Sequence, residues 1–134
     1  MRYFDSSALV KLVLAERESS VLAEYASAGS AVVSSDLART EAVRAVVRSD
    51  PSRTEDTLAL LQRMTMVPLT PEVLDRAGRL APASLRSLDA IHLACALTIG
   101  EDLDAFVAYD ERLLRAASAL GLPVASPGLR LTRR

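Results

Sequence analysis

Short apolar runs of two to six residues alternate along this chain with longer stretches whose apolar positions recur every three or four residues. A strand buried on both faces reads as an unbroken apolar run, and parallel strands need a long, usually helical, connection between them. The alternation therefore predicts an α/β fold with a parallel sheet covered by helices on both faces. Strands are expected at residues 2–4, 31–34, 64–69, 105–108 and 124–125. Helices are expected at 7–16 and at 19–28, the second stopped by Gly29. The next runs from a cap at Ser35 or Asp36 to about residue 49, ending before Pro51. Further helices are expected at 54–64 and at 71–81, the latter entered through Thr70 and Pro71. Ser87 is expected to cap a helix that reaches Ile99 and closes at Gly100, and a last helix spans 111–120 before Gly121. From Pro127 onward the chain reads as a loose tail.

At 134 residues, half of them apolar, the chain can bury a core without disulfides or structural metals, and no repeat or linker divides it. One domain over residues 1–134 is expected. Sixteen basic residues nearly cancel seventeen acidic ones, which removes the usual sign of a protein that coats nucleic acid or anionic membrane through bulk charge. A polyanion must be gripped locally. The single cysteine, Cys95, lies among apolar neighbours and reads as an inert core thiol in a reducing cytoplasm. The opening Met-Arg-Tyr-Phe-Asp leads into no long apolar stretch, so neither a signal peptide nor a membrane span is expected.

Four carboxylates fit a simple core or a solvated face poorly. In open α/β sheets ligands bind beyond the carboxyl ends of the strands. Asp5 follows the first strand directly and Asp110 the fourth, and each can equally cap the helix that follows. Asp89 opens a stretch, residues 88–97, that is apolar almost all round; there it can hold a ligand or simply complement the helix dipole. His92 shares its face three residues on, and reads as a histidine hydrogen-bonded beside the site more readily than as a ligand or base. Glu41 stands on the shoulder of the stripe formed by Ala38, Ala42, Ala45 and Val46, where pairing with Arg44 or Arg48 is the other option. The remaining acids, such as Glu16, Glu18, Glu55, Asp56, Asp102 and Asp104, read as solvated surface. Four facing carboxylates repel one another when ionised unless cations enter, and Mg²⁺, which takes a few carboxylates and substrate phosphate oxygens, resolves that conflict. No zinc-type His/Cys spacing, Gly-rich phosphate loop or Ser/His/Asp set competes.

At these residues the sequence resembles the PIN-domain ribonucleases, and within them the VapC toxins of bacterial and archaeal toxin–antitoxin pairs. The matching stretches are Tyr-Phe-Asp-Ser-Ser-Ala-Leu-Val-Lys-Leu at the start, Ala-Arg-Thr-Glu-Ala-Val-Arg-Ala around Glu41, Arg-Ser-Leu-Asp-Ala-Ile-His-Leu-Ala around Asp89, Val-Ala-Tyr-Asp-Glu-Arg-Leu around Asp110, and Leu-Gly-Leu-Pro-Val near the end. The resemblance implies an α/β/α sandwich around a parallel sheet of four to five strands. It also implies a Mg²⁺ or Mn²⁺ site made by Asp5, Glu41, Asp89 and Asp110, endonucleolytic cutting of RNA as the toxin of a type II system, a homodimer, and inhibition by a VapB-like antitoxin. Many relatives carry Thr or Ser two residues before the fourth acid, where this chain has Ala108, so Ser6 or Ser7 becomes the alternative source of a hydroxyl.

The reading that follows is a metal-dependent endoribonuclease that draws RNA through local cations, with Arg39, Arg44, Arg86, Arg112 and Arg115 as candidates. Two rivals differ in class. A phosphotransfer domain with Asp5 as nucleophile needs a second acid close behind it, which Ser6-Ser7-Ala8 does not offer. A catalytically weak PIN-like module that binds RNA or protein without cutting is favoured only by Ala108.

Overall fold

A computed structural model of the protein describes residues 1–129. Its elements follow in the order β1 (Arg2–Phe4), α1 (Ser6–Val13), α2 (Ser19–Ser27), β2 (Val32–Ser35), α3 (Asp36–Ser49), α4 (Thr54–Gln62), β3 (Thr65–Val67), α5 (Pro71–Gly78), α6 (Ser87–Ile99), β4 (Ala105–Val107), α7 (Glu111–Ala119) and β5 (Val124–Ala125). The five strands form one parallel sheet in the order β3-β2-β1-β4-β5. From β1 the chain steps outward through β2 to β3, then returns to the other side of β1 for β4 and β5. The strand order thus reverses between β1 and β4, where open α/β sheets form their ligand crevice.

Alternation along the short strands sends successive side chains to opposite faces. Tyr3, Val33 and Phe106 enter the core beneath α5, α6 and α7. Phe4, Ala105 and Val107 enter the core beneath α1 to α4. The two layers make the expected α/β/α sandwich, and β1 is buried throughout. On the first face the Tyr3 and Phe106 rings stack with centroids 5.5 Å apart. Cys95 is a buried free thiol in that core, as its apolar neighbours predict.

Helix ends depart most from the sequence expectations. The first helix starts one residue early, because Asp5 caps it through the Ala8 N–H, and it stops at Val13 where Leu14 turns extended. The fifth stops at Gly78, a poor helix former four residues ahead of Pro82. Ser87 is not the cap of α6; it is the first helical residue, and Arg86 occupies the cap position without a side-chain cap bond. Ser35 sits at the cap of α3, yet its buried hydroxyl has no hydrogen-bond partner. Glu18 is not solvated surface, since it is buried against Lys11 with Nζ 3.1 Å from its carboxylate. The start of the expected loose tail is tied down: the Tyr109 hydroxyl donates to the Pro127 carbonyl at 2.7 Å, and Leu129 N–H donates to Ser126. Residues 130–134 of that tail lie outside the described residues. Among those described, no helix is long and apolar enough to cross a membrane.

Candidate active site

Asp5 leaves β1 at its carboxyl end and caps the helix that follows. As the cap of α1 its Oδ1 accepts from the Ala8 N–H at 3.0 Å and from the Ser7 hydroxyl at 2.7 Å. The side chain is buried. Burial pushes its pKa up, and the nearby Glu41 charge adds to the rise; His92, Ser7 and Ala8 oppose it. One oxygen of this carboxylate is therefore held by the fold, and among the described residues the other accepts no hydrogen bond.

Glu41, on α3 in the opposite layer from α6, pairs with neither Arg44 nor Arg48. Its Oε1 accepts from the Ser6 hydroxyl at 2.6 Å and from Nε2 of His92 at 2.6 Å. Burial alone would raise its pKa, but the hydrogen bonds from His92 and Ser6 outweigh that and bring it below the usual glutamate value. Nδ1 of His92 meets the Tyr3 hydroxyl at 2.6 Å, completing a chain Tyr3–His92–Glu41–Ser6 that runs from the central strand to the crevice. His92 is thus the hydrogen-bonded histidine beside the site that the sequence suggested. Both serines after Asp5 place a hydroxyl on a site carboxylate, the role that Ala108, buried in the core, cannot fill.

Asp89 and Asp110 form the second half of the site. Asp110 caps α7 through the Arg112 and Leu113 N–H groups. Arg86 lies between the two acids, with Nε 3.3 Å from Asp89 and a terminal nitrogen 3.6 Å from Asp110. Asp110 stands on the ridge between two cavities. One, of about 800 Å³, is lined by Ser6, Ser7, Glu41, Arg44 and Arg48 among others. The other, of about 650 Å³, is lined by Arg86, Asp89, Arg112 and Arg115. Glu41, Asp89 and Asp110 thus line the two cavities while Asp5, buried beyond the end of β1, lines neither, and the acids fall into two pairs: Asp5 with Glu41, and Asp89 with Asp110 through Arg86.

Oxygen donors dominate this set and the single imidazole is engaged by Tyr3 and Glu41, which suits a hard cation such as Mg²⁺ or Mn²⁺ better than zinc. Among the described residues no group of three or more His, Cys, Asp or Glu side chains is arranged to hold a metal ion as it stands. The observation that fits a cation is Asp5 itself. A buried carboxylate beside a second acid, bonded through one oxygen only, is stabilised in its charged form by a cation. The acids fit a hard cation by donor type and charge, in two pairs instead of one closed cage.

Of the predicted RNA-gripping arginines, Arg44, Arg86, Arg112 and Arg115 line the two cavities. Arg39 lines neither of them and instead pairs with Asp36 at 2.9 Å. Tyr3 is the member of the hydrogen-bond chain that sequence reasoning did not single out. Its signal was present: a tyrosine inside a buried strand and a histidine on an apolar helix are two polar tips that each need a buried partner.

Residues 2–119 match the PIN domain family, and the chain belongs to that family. Relatives within it include VapC ribonucleases of Mycobacterium tuberculosis, in line with the resemblance read from the sequence. Ribonuclease VapC47 is 44% identical over 133 residues, covering 96% of this chain and 98% of the relative. Ribonuclease VapC46 is 42% identical over 125 residues, covering 93% and 96% respectively. The crystal structure of Mycobacterium tuberculosis VapC20, a Sarcin-Ricin loop cleaving toxin, superposes with a TM-score of 0.75 over 95% of this chain and all of that one. At 16% identity it supports the fold.

Proposed function

We propose that this chain is an endoribonuclease, a single PIN domain over residues 1–134 that acts as the toxin of a type II toxin–antitoxin pair and works with Mg²⁺ or Mn²⁺. The observation that carries the reading is the gathering of Asp5, Glu41, Asp89 and Asp110 at the point where strand order reverses. Membership of the PIN family and the VapC ribonucleases among its relatives support it. Asp5 and Asp89 would be the principal metal ligands, completed by Glu41 and Asp110. A bound divalent cation supplies an activated water and neutralises charge on the phosphate under attack. The chain's own groups do the rest. Ser7 and the Ala8 N–H fix one oxygen of Asp5, and Ser6 and His92 fix one oxygen of Glu41. Arg112 and Arg115 on one side, and Arg44 and Arg48 on the other, present cations to an RNA backbone crossing the ridge at Asp110.

In this reading the protein works in the cytoplasm as a homodimer, restrained by a VapB-like antitoxin. The rival reading, a PIN-like module that binds without cutting, rests on Ala108 and is weakened by the two serine hydroxyls that reach the acids. The test is cleavage of total RNA by purified protein with Mn²⁺ and with chelator, beside Asp89→Asn. That variant keeps side-chain size and helix position, so it should fold as wild type while cleavage drops by orders of magnitude. Equal cutting by the variant, with contaminating nuclease excluded, would make Asp89 structural.

A further inference from the structure

We infer that Tyr3 and His92 are positioning residues for the nuclease site, a buried pair that sets the orientation of the Glu41 carboxylate and determines which of its oxygens remains open. The inference rests on the ribonuclease reading of that site. Its geometry begins in the middle strand of the sheet. Tyr3 is paired on both sides, to Val33 and to Phe106; its ring stacks on that of Phe106 and meets the His92 ring in a T-shaped contact with centroids 5.8 Å apart. Tyr3 and His92 are both buried.

The Glu41 end sets the direction of the chain, because an ionised carboxylate only accepts and Nε2 of His92 must therefore donate to Oε1. The Tyr3 hydroxyl stands 2.6 Å from Nδ1 of His92, and the phenol has one proton to give. A neutral imidazole that carries its hydrogen on Nε2 has Nδ1 free to accept, which is where the Tyr3 hydroxyl donates. Ser6 donates to the same oxygen. Both bonds converge on Oε1, while among the described residues Oε2 accepts none. A glutamate at a partly exposed helix position has several rotamers open to it; two bonds to one oxygen remove that freedom and direct the other oxygen.

A core histidine with no further role needs only some buried partner for each nitrogen. Here the chain of bonds starts in the strand that delivers Asp5, passes through the helix that delivers Asp89, and ends on an acid 51 residues away in the opposite helical layer. Outer partners that orient metal-binding side chains contribute about 10–100-fold to affinity or activity when lost.

The experiment compares His92→Leu, His92→Gln, Tyr3→Phe, Glu41→Gln and the double variant His92→Leu/Glu41→Gln with wild type. Readouts are Mn²⁺ binding by electron paramagnetic resonance, kcat and KM on a short RNA, and ¹⁵N resonances of labelled His92. His92→Leu should weaken Mn²⁺ binding or lower kcat by about 10–100-fold while KM for RNA stays within about twofold. His92→Gln, whose amide can donate to Glu41, should recover much of the loss. Tyr3→Phe should show a smaller loss and should move the His92 resonances away from those of the Nε2–H tautomer. In the Glu41→Gln background, His92→Leu should add little. Wild-type Mn²⁺ binding and turnover in both His92→Leu and Tyr3→Phe would overturn the inference alone. An equal cost of His92→Leu with and without Glu41 would do the same, since the effect would then pass through the fold. A wild type that neither binds Mn²⁺ nor cuts RNA would instead remove the ribonuclease reading and the inference with it.

Discussion

Replacing Asp5 by Asn tests whether the acid end of the sheet is a cation site, because the change removes a charge and little else. The Asn oxygen still accepts from the Ala8 N–H and the Ser7 hydroxyl, and Asn caps helices about as well as Asp. Loss of the favourable interaction with the helix dipole costs about 0.3–1 kcal/mol. Against it stands the buried charge. A carboxylate whose folded pKa is raised destabilises the fold once pH exceeds its unfolded value, and the penalty grows until pH passes the folded one. Near neutral pH the metal-free variant should therefore melt at or above the wild-type temperature. Metal reverses the order. At free Mn²⁺ 100 times Kd, binding to the folded state alone adds about 2.7 kcal/mol. In a 134-residue chain each kcal/mol moves Tm by roughly 3–5 °C, so wild type should gain roughly 8–13 °C. If losing one ligand weakens binding tenfold, the same Mn²⁺ concentration contributes about 1.4 kcal/mol to the variant and its gain is halved. Calorimetry of both proteins across a millimolar Mn²⁺ series reads this directly. A wild-type Tm indifferent to Mn²⁺, or a variant that gains as much as wild type, would refute the site.

Two further outcomes follow from named contacts. Glu18 is held below the usual carboxylate range by the hydrogen bond from Lys11, so its contribution is present above the unfolded glutamate pKa of about 4.3 and is lost as pH falls through the folded one. Between pH 6 and 3, wild type should lose more Tm than Glu18→Gln, and parallel acid limbs would show that the pair contributes nothing. In the proposed pair, an antitoxin segment that brings Arg or Lys to Asp5 and Asp89 should compete with metal, each weakening the other by the same factor. Titration of the neighbouring small protein with and without Mn²⁺ measures this, and an affinity that ignores both metal and the antitoxin's basic residues points to blockage of the RNA path instead.

Local order was readable in the sequence because its causes are local. Strand and helix types follow from periodicities of two and of three to four residues, and all five strands and seven helices appear within a few residues of their expected places. The positions of Asp5 and Asp110 beyond strands β1 and β4 follow from the same reading, since a strand end and a helix cap are both short-range signals. Helix ends were less accurate. Ser87 has the right chemistry for a cap but entered the first turn of α6, leaving Arg86 at the cap position with its side chain drawn to Asp89 and Asp110.

What only the tertiary structure decided is which of these local features meet. Periodicity says nothing about strand order, and it is the order β3-β2-β1-β4-β5 that puts the end of β1 beside the end of β4. Tyr3 and His92 are 89 residues apart, and His92 and Glu41 are 51 apart, in helices on opposite faces of the sheet. Each residue alone reads as core or as surface, because a hydrogen-bond partner across the sheet leaves no trace in the neighbouring sequence. The sequence by itself determined the elements and the supply of acids, whereas close packing of two helical layers at the carboxyl end of the sheet determined that Asp5 joins Glu41 while Asp89 joins Asp110 through Arg86.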